Sequence, residues 1–116
     1  MKISIITVCL NSEKTILATL NSVLSQTYKN IEHIIIDGGS TDKTLKYIYE
    51  YQNPKKKIII NKTKGIYEAM NTGIKNSSGK FIGILNSDDI FNSNQTIDLV
   101  VNKIKKNKNY KIFFGD

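Results

Sequence analysis

Short apolar runs rich in β-branched residues alternate with amphipathic segments along the 116-residue chain, and this alternation restricts the possible fold more than any other feature. The apolar runs lie at residues 3–8, 31–36, 58–60, 81–85 and 111–114. Segments with helical spacing separate them, and the last two helices are predicted at 66–74 and 95–106. Because strands that alternate with helices build parallel sheets, the sequence predicts an α/β fold, with a mostly parallel sheet and helices on both faces.

Several side chains in the helical segments receive specific predictions. Ser12 precedes the first apolar-periodic segment and is predicted as its N-cap. The inner face of the second helix is predicted to carry Leu45, Ile48 and Tyr49. Tyr67 and Met70 are predicted to pack in the core rather than contact a ligand.

The charge of the chain is strongly positive but does not indicate a nucleic-acid partner. The formal net charge is +7, and every basic residue is lysine. The lysines cluster at 55–57 and between 103 and 111, where Tyr110 is the single interleaved aromatic residue, and no nucleic-acid-binding module is recognisable, so we predict no nucleic-acid partner. A solvated surface is the simpler reading of both clusters, and attraction to an anionic membrane or substrate is the alternative.

Cysteine and histidine usage gives little sign of chemistry but some information on location. Cys9 is the single cysteine and is predicted to be a small core residue, so the chain can form no internal disulfide. His33, the only histidine, precedes an apolar run and is predicted to be packed. No apolar run is long enough to span a membrane. We therefore expect a reducing, cytoplasmic location, with the inner face of the membrane left open.

Polar side chains follow four of the predicted strands, at the point where each strand ends. These are Asn11 after the first strand, Asp37 after the second, Lys64 after the third, and Asp88 with Asp89 after the fourth. Since ligands of open α/β sheets bind beyond the carboxyl ends of the strands, we expect these side chains to share one site.

Asp88 and Asp89 are the residues most suggestive of a metal. Adjacent carboxylates repel each other, and Mg²⁺ or Mn²⁺ relieves that repulsion while it completes its shell with substrate phosphates. By itself, an Asp-Asp pair in a loop is usually a solvated turn or a helix cap. Its place after a buried strand favours the metal site.

The segment 37–42, of sequence D-G-G-S-T-D, has two interpretations. Its glycines permit a sharp turn, and Ser40 or Thr41 would cap the next helix. Alternatively, the bare backbone lets a flat base approach, and Asp37 accepts a hydrogen bond from a base N–H or a ribose hydroxyl. Lys64 would offset the charge of a diphosphate. The glycine spacing is not that of a dinucleotide-binding loop.

Five segments together resemble the family 2 glycosyltransferases, which have the A-type fold (GT-A) that binds nucleotide-sugars. They lie at residues 4–11, 22–28, 36–42, 65–71 and 85–89, and the resemblance covers nearly the whole chain. It predicts one unit over residues 1–116, the nucleotide-sugar-binding part of such a domain. Leu10 and Gly38 depart from the family pattern, which often has an aromatic residue and a second Asp there.

The resemblance implies transfer of a sugar, with inversion, from a nucleotide-diphosphate sugar to a glycan, polysaccharide or lipid-linked acceptor. The donor it implies is most commonly a UDP-sugar. Thr7, Val8 and Asn11 would lie near the base and ribose, and Asp37 would contact the nucleoside. Asp88 would face the ribose or the metal, and Asp89 would hold Mn²⁺ or Mg²⁺ on the diphosphate.

One requirement of such a reaction has no candidate in the sequence. An inverting transferase needs a general base near the acceptor hydroxyl, and the resemblance implies an acidic residue well beyond the metal motif. The chain has only two acidic residues after Asp89: Asp98, in a predicted helix, and Asp116, the last residue. We therefore expect a truncated fold that transfers sugar poorly by itself. The alternatives are a non-catalytic nucleotide-sugar-binding module and, less favoured, a nucleotidyltransferase. Peripheral membrane association and a homo-oligomer paired through an exposed sheet edge are left open.

Overall fold

The strands form one parallel sheet in the order β3-β2-β1-β4. The computed structural model describes residues 1–62 and 65–106, so the strand predicted at 111–114 and Lys64 lie outside the described residues. The elements are β1 (Ile3–Cys9), α1 (Ile16–Leu24), β2 (Ile31–Asp37), α2 (Thr44–Glu50), β3 (Lys56–Ile60), α3 (Ile66–Lys75), β4 (Phe81–Ile84) and α4 (Thr96–Lys106). The predicted α/β fold with a parallel sheet is confirmed.

Helices cover both faces of the sheet, as predicted. Side chains of a strand alternate between the two faces, so the apolar runs of β1 and β2 supply both cores at once. On one face, residues such as Ile5 and Ile35 pack with apolar side chains of α1, α2 and α4. On the other face, Ile6 and Ile34 pack against α3 and its Ala69.

Helix α3 approaches the sheet closely because it presents a glycine to β1. A Cβ atom built on Gly73 would lie 2.6 Å from Cγ2 of Ile6. No side chain fits at that distance, so the missing Cβ lets the helix backbone rest directly on the sheet.

The start of α1 differs from the prediction. The helix begins at Ile16, and the Ser12 side chain does not cap it. The carbonyl oxygen of Ser12 accepts the N–H groups of Thr15 and Ile16, at 3.1 and 2.9 Å, in a preceding turn. The Ser12 hydroxyl instead lies 3.3 Å from the carbonyl oxygen of Leu10 and 2.9 Å from the hydroxyl of Ser87. A contact between distant loops has replaced the local cap.

Two predicted core tyrosines are exposed. Tyr49 is 56% exposed, and α2 buries Thr44 and Ile48 instead. Tyr67 is 79% exposed, because α3 turns Ala69 toward the sheet and Tyr67 lies roughly 200° from it around the helix. Both predictions were wrong, since short helices bury only a narrow stripe of their surface.

A chain of polar side chains runs through the core between β1 and the segment after α2. The His33 ring is fully buried, with Nε2 2.8 Å from the Thr7 hydroxyl and Nδ1 3.1 Å from the Tyr51 hydroxyl. Asn53 donates to the same Tyr51 hydroxyl at 3.0 Å. Burial lowers the pKa of His33 to about 3, so the ring is neutral at physiological pH. The predictions of a packed His33 and a buried Cys9 are confirmed.

A second polar group, Glu32, is buried at the amino-terminal edge of the sheet. Its carboxylate accepts a hydrogen bond from the Ser4 hydroxyl at 2.5 Å and from the Ser78 backbone N–H at 2.5 Å. The ammonium groups of Lys2 and Lys57 lie 3.5 and 3.1 Å from its Oε1. Burial would raise the pKa of Glu32, but the hydrogen bonds from Ser4, Ser78 and Lys57 outweigh it and lower that pKa to about 2.

Candidate nucleotide and metal site

A cleft of about 650 Å³ opens beyond the carboxyl ends of β1 and β4, in the size range of small-molecule sites. Its walls come from the loop after β1, the loop after β2, the start of α3 and the loop after β4. They are lined by Val8, Asn11, Ser12, Glu13, Lys14, Thr15, Asp42, Ile66, Asn86, Ser87 and Asp88. Of the strand-end residues expected to share one site, Asn11 and Asp88 are among these lining residues.

An apolar cavity of about 430 Å³ continues from this cleft toward β2. The two share Val8, Ser12, Ile66 and Ser87 as lining residues. Leu10, Gly38 and Ala69 also line the apolar cavity. The combined site is therefore amphipathic, with a polar region near Asp88 and an apolar region beside Leu10.

Five of the seven predicted site residues fall into two groups; of the other two, Lys64 lies outside the described residues and Asp89 is half-buried. Val8, Asn11 and Asp88 line the cleft. Thr7 and Asp37, by contrast, are fully buried. The hydroxyl of Thr7 lies against His33 inside the sheet, so its side chain does not reach the cleft. The predicted contacts of Thr7, Val8, Asn11, Asp37, Asp88 and Asp89 with a nucleotide or metal stay predictions.

The loop that carries Asp88 and Asp89 is held by α1. The Asp89 backbone N–H donates to the carbonyl oxygen of Asn86 at 3.0 Å, which closes a tight turn. The Thr19 hydroxyl lies 2.9 Å from the carbonyl oxygen of Ser87 and 2.6 Å from that of Asp89. Asp88 is consequently exposed at the cleft while Asp89 is half-buried behind it.

Both carboxylate oxygens of Asp37 accept hydrogen bonds from residues of its own loop. Oδ2 accepts the backbone N–H groups of Gly39 and Ser40, at 2.9 and 2.8 Å. Oδ1 accepts from the Ser40 hydroxyl at 2.6 Å and lies 3.5 Å from the Cys9 thiol. Burial and the charge of Asp37 raise the pKa of Cys9, so this thiol stays protonated and can donate. Gly39, at φ +101°, supplies the left-handed residue that the turn requires.

Asn11 adopts a left-handed conformation, with φ 48°, the only such non-glycine residue in the part of the chain that the structure describes. Its backbone N–H donates to the Ser40 hydroxyl at 2.9 Å. Its side-chain oxygen accepts the N–H groups of Thr41 and Asp42, at 2.8 and 3.3 Å. Asn11 therefore joins the loops after β1 and β2.

Asp42 makes a second connection between these loops, which the sequence did not predict. Its Oδ1 accepts the hydroxyl and the N–H of Thr44, at 2.5 and 2.9 Å, and its Oδ2 accepts the N–H of Glu13 at 3.2 Å. The Thr44 hydroxyl in turn accepts the Ser12 N–H at 2.7 Å. Burial opposes ionisation more than any other single cause, but the hydrogen bonds from Thr44 and Glu13 together outweigh it and lower the pKa of Asp42. Lys43 occupies the N-cap position of α2 without a side-chain cap. Asp42, rather than Ser40 or Thr41, accepts the N–H of the first helical residue, Thr44, and an Asp two residues before a Thr was the signal for it.

Ser12 and Ser87 were also absent from the predicted site, and nothing local in the sequence signals their contact. Their hydroxyl oxygens are 2.9 Å apart although 75 residues separate them. Only the parallel pairing of β1 with β4 brings the two loops together.

The donor set of the cleft suits a cation that keeps most of its ligands outside the protein. No three His, Cys, Asp or Glu side chains converge on one point in the described ranges 1–62 and 65–106. Asp42 is engaged by Thr44 and Glu13, which leaves Asp88 and Glu13 as the other acidic residues that line the cleft, whereas Asp89 is half-buried and is not among the lining residues. One or two carboxylates, with phosphates and water, is the usual arrangement for Mg²⁺.

A nucleotide-sugar transferase fold agrees with this sheet order and cleft, and the comparisons with known proteins establish it. The family model described as glycosyl transferase family 2 matches residues 4–114. The chain therefore belongs to glycosyl transferase family 2.

Individual relatives agree with this assignment. The chain is 37% identical over 98% of its length to an Escherichia coli protein named UDP-Glc:alpha-D-GlcNAc-diphosphoundecaprenol beta-1,3-glucosyltransferase WfgD. It is 39% identical over 97% of its length to E. coli WfaP, which carries the same activity name. It covers 45% and 44% of these two proteins, so it spans less than half of their length.

Solved structures give the same fold. S. aureus TarS 1–349 in complex with UDP-GlcNAc matches with a TM-score of 0.87 at 31% identity, over 93% of this chain and 32% of that one. A Pyrobaculum calidifontis mannosyltransferase matches with a TM-score of 0.82 at 20% identity, over 89% of this chain and 32% of its own. The chain therefore has the fold of these transferases, the GT-A fold.

None of the described helices combines the length and the apolar character that crossing a bilayer requires.

Proposed function

We propose that residues 1–116 form the donor-binding part of an inverting glycosyltransferase that uses a UDP-sugar. The observation that carries this proposal is the cleft at the carboxyl edge of the sheet, where Asn11, Ser12 and Asp88 meet. The E. coli relatives are named for UDP-Glc, and the TarS structure holds UDP-GlcNAc, which supports a UDP-sugar donor.

The proposed acceptor is a glycan or a lipid-linked sugar. Both E. coli relatives are named for an undecaprenyl-diphosphate acceptor. Such an acceptor resides in a membrane, so the proposal includes a cytoplasmic protein associated with the inner membrane face. The exposed lysines 29, 55 and 80, at the amino-terminal edge of the sheet, are available for contact with anionic lipid.

Asp88 and Asp89 are the proposed carboxylates for Mn²⁺ or Mg²⁺. A bound divalent cation would stabilise the negative charge of the leaving diphosphate. Asp88 lies at the cleft and would reach the ligand side of the site. Thr19 would hold Asp89 and Ser87 in place, because its hydroxyl contacts the carbonyl oxygens of both. The apolar lining of the cavity beside Leu10 suits the flat ring of a nucleobase.

A titration of UDP into the chain, with and without Mn²⁺, tests the donor and metal roles together. We expect Asp88→Asn to remove most of the Mn²⁺-dependent gain in affinity, because an amide is a much weaker ligand for a hard cation than a carboxylate. Glu50→Gln is the matched control, since Glu50 is exposed on α2 and makes only a 4.0 Å contact with Lys46. Equal Mn²⁺ dependence in all three proteins would overturn the metal role.

The general base is proposed to lie outside this chain. Asp98, one of two acidic residues after Asp89, contacts the Thr27 hydroxyl beyond the carboxyl end of α1 and is not among the residues that line the cleft. Asp116 lies outside the described residues. We expect the 116-residue chain with UDP-glucose, Mn²⁺ and a GlcNAc-diphospholipid to bind donor without efficient transfer. Multiple turnover would show that the chain supplies its own base.

The second candidate is a nucleotide-sugar-binding module with no transferase activity in any context. The lack of a candidate general base in the chain also favours this second candidate. Turnover restored by adding the remaining part of a full-length relative would exclude this candidate, whereas donor binding without rescue would support it.

A further inference from the structure

We infer that Asp37 and Ser40 are positioning residues of the donor site, which act through Asn11 and do not touch the nucleotide. The inference rests on the proposed function and specifies how its site is built. It replaces the direct nucleoside contact that the sequence suggested for Asp37 with an indirect role.

The Asp37 carboxylate has no surface left for a ligand. Its side chain is fully buried, and both oxygens accept hydrogen bonds from Gly39 and Ser40. A nucleoside hydroxyl or base N–H could reach it only by breaking these bonds. The cost of leaving such buried groups unsatisfied makes this exchange unfavourable.

Ser40 links Asp37 to the loop after β1 through two hydrogen bonds of its hydroxyl group. Its hydroxyl donates to Asp37 at 2.6 Å and accepts the Asn11 N–H at 2.9 Å. A hydroxyl has one proton, so donation to the carboxylate orients its lone pairs toward Asn11. The bond between Ser40 and Asn11 thus depends on Asp37.

Asn11 needs this support because its backbone is left-handed. A non-glycine residue at φ 48° is unfavourable by about 1 kcal/mol or more and persists only where neighbouring groups hold it. Ser40 holds its N–H, and the N–H groups of Thr41 and Asp42 hold its side-chain oxygen. Without Ser40, the loop would relax toward a more common conformation.

The position of this loop sets the width of the cleft. The next residue, Ser12, pairs with Ser87 at 2.9 Å, one residue before Asp88. A chain of contacts therefore runs from Asp37 through Ser40 to Asn11. It continues through the adjacent Ser12 and then Ser87 to the loop that carries Asp88 and Asp89. Asn11 is exposed and Ser40 half-buried, so loss of the Ser40 hydroxyl would disturb the rim of the site without opening the core.

The test compares binding of UDP, CDP and 2′-deoxy-UDP to variants of the 116-residue chain. We expect Ser40→Ala to weaken all three ligands by the same factor, roughly tenfold, as expected for one lost hydrogen bond. Ser40→Thr keeps a hydroxyl and should restore binding. Ser25→Ala, an exposed serine at the end of α1, is the matched control and should bind like the unmodified chain.

Asp37→Asn separates positioning from direct contact. A residue that reads the base or ribose would change the affinity ratios among UDP, CDP and 2′-deoxy-UDP, whereas a positioning residue leaves the ratios unchanged. The double variant Asp37→Asn with Ser40→Ala should bind no more than about twofold more weakly than Ser40→Ala alone, because both changes break one chain of contacts.

The outcomes distinguish this inference from the function on which it rests. A chain that binds none of the three ligands would remove both. Normal UDP binding by Ser40→Ala, or altered ligand ratios in Asp37→Asn, would remove only the positioning role. Thermal unfolding of each variant should show that Ser40→Ala folds with a melting temperature close to that of the Ser25→Ala control.

Discussion

At the scale of single residues, Gly79 illustrates how tightly the strands are assembled. A Cβ atom on Gly79 would lie 2.5 Å from the Ser4 hydroxyl oxygen and 2.6 Å from the Ser4 backbone nitrogen. The backbone of β1 cannot move away, because Ser4 is paired with both neighbouring strands. The missing side chain is therefore a condition for the start of β4 to dock.

We predict that Gly79→Ala lowers the free energy of unfolding by roughly 2 kcal/mol, the scale of forced overpacking. Gly65→Ala is the matched control, since a Cβ atom there meets nothing within 4 Å. Because alanine restricts the unfolded chain, this control should be neutral or slightly stabilising. Urea unfolding measures both, and an equal loss in the two variants would contradict the steric explanation.

At the scale of elements, β4 is less well secured than β2. It has four residues, of which only Gly83 is buried, and it pairs with β1 alone among the described residues. β2 has seven residues, all buried, and pairs on both sides. The loop with Asp88 and Asp89 follows the weaker strand.

We therefore predict that backbone amides of β4 exchange with solvent at least about tenfold faster than those of β2, through a local opening. Hydrogen exchange followed by NMR measures this difference. Addition of UDP with Mn²⁺ should slow exchange in β4 more than in β2, because the proposed ligands follow β4. Uniform protection across the sheet would show that it opens only as a whole.

The elements themselves were predictable, and the errors have a common cause. The runs that became β1, β2 and β4 are dominated by β-branched and aromatic residues, so their composition predicted buried strands. Only a few other residues lie among them, such as Ser4, Glu32, His33 and Gly83. Ser12, Tyr49 and Tyr67 were wrongly placed, because long-range contacts and helix orientation decide their environments. The predicted order of strands and helices was enough to assign the strand-end residues to the carboxyl edge of the sheet. That Asp37 is buried, and that Ser12 meets Ser87, depends on loop conformations that no local pattern encodes.

At the scale of the whole molecule, the buried polar groups make stability dependent on pH in a defined order. The pKa of His33 is lowered to about 3 in the folded chain, whereas an unfolded histidine titrates near 6.5. Between these values the unfolded state binds more protons than the folded state, so stability falls as the pH falls from about 6.5. Glu32, whose pKa in the folded chain is about 2, lowers the stability only when the pH falls below about 4.5.

We predict that the free energy of unfolding at pH 5 is roughly 2 kcal/mol lower than at pH 7 because of His33 alone. His33 is the only histidine, so no other imidazole contributes. Urea unfolding at the two pH values measures the difference. The variant His33→Gln should be less stable overall but nearly insensitive to pH in this range, and a similar slope in both proteins would contradict the prediction.

The Glu32 carboxylate also bears on the kinetics of folding. Its partners come from three segments that are distant in sequence: Lys2 and Ser4 from the first, Lys57 from the second and Ser78 from the third. They can surround it only after β1, β2 and β3 are aligned and the turn before β4 has closed. Interactions that form after the transition state slow unfolding without speeding folding. This cluster would therefore lengthen the lifetime of the folded chain and leave the rate at which it folds almost unchanged.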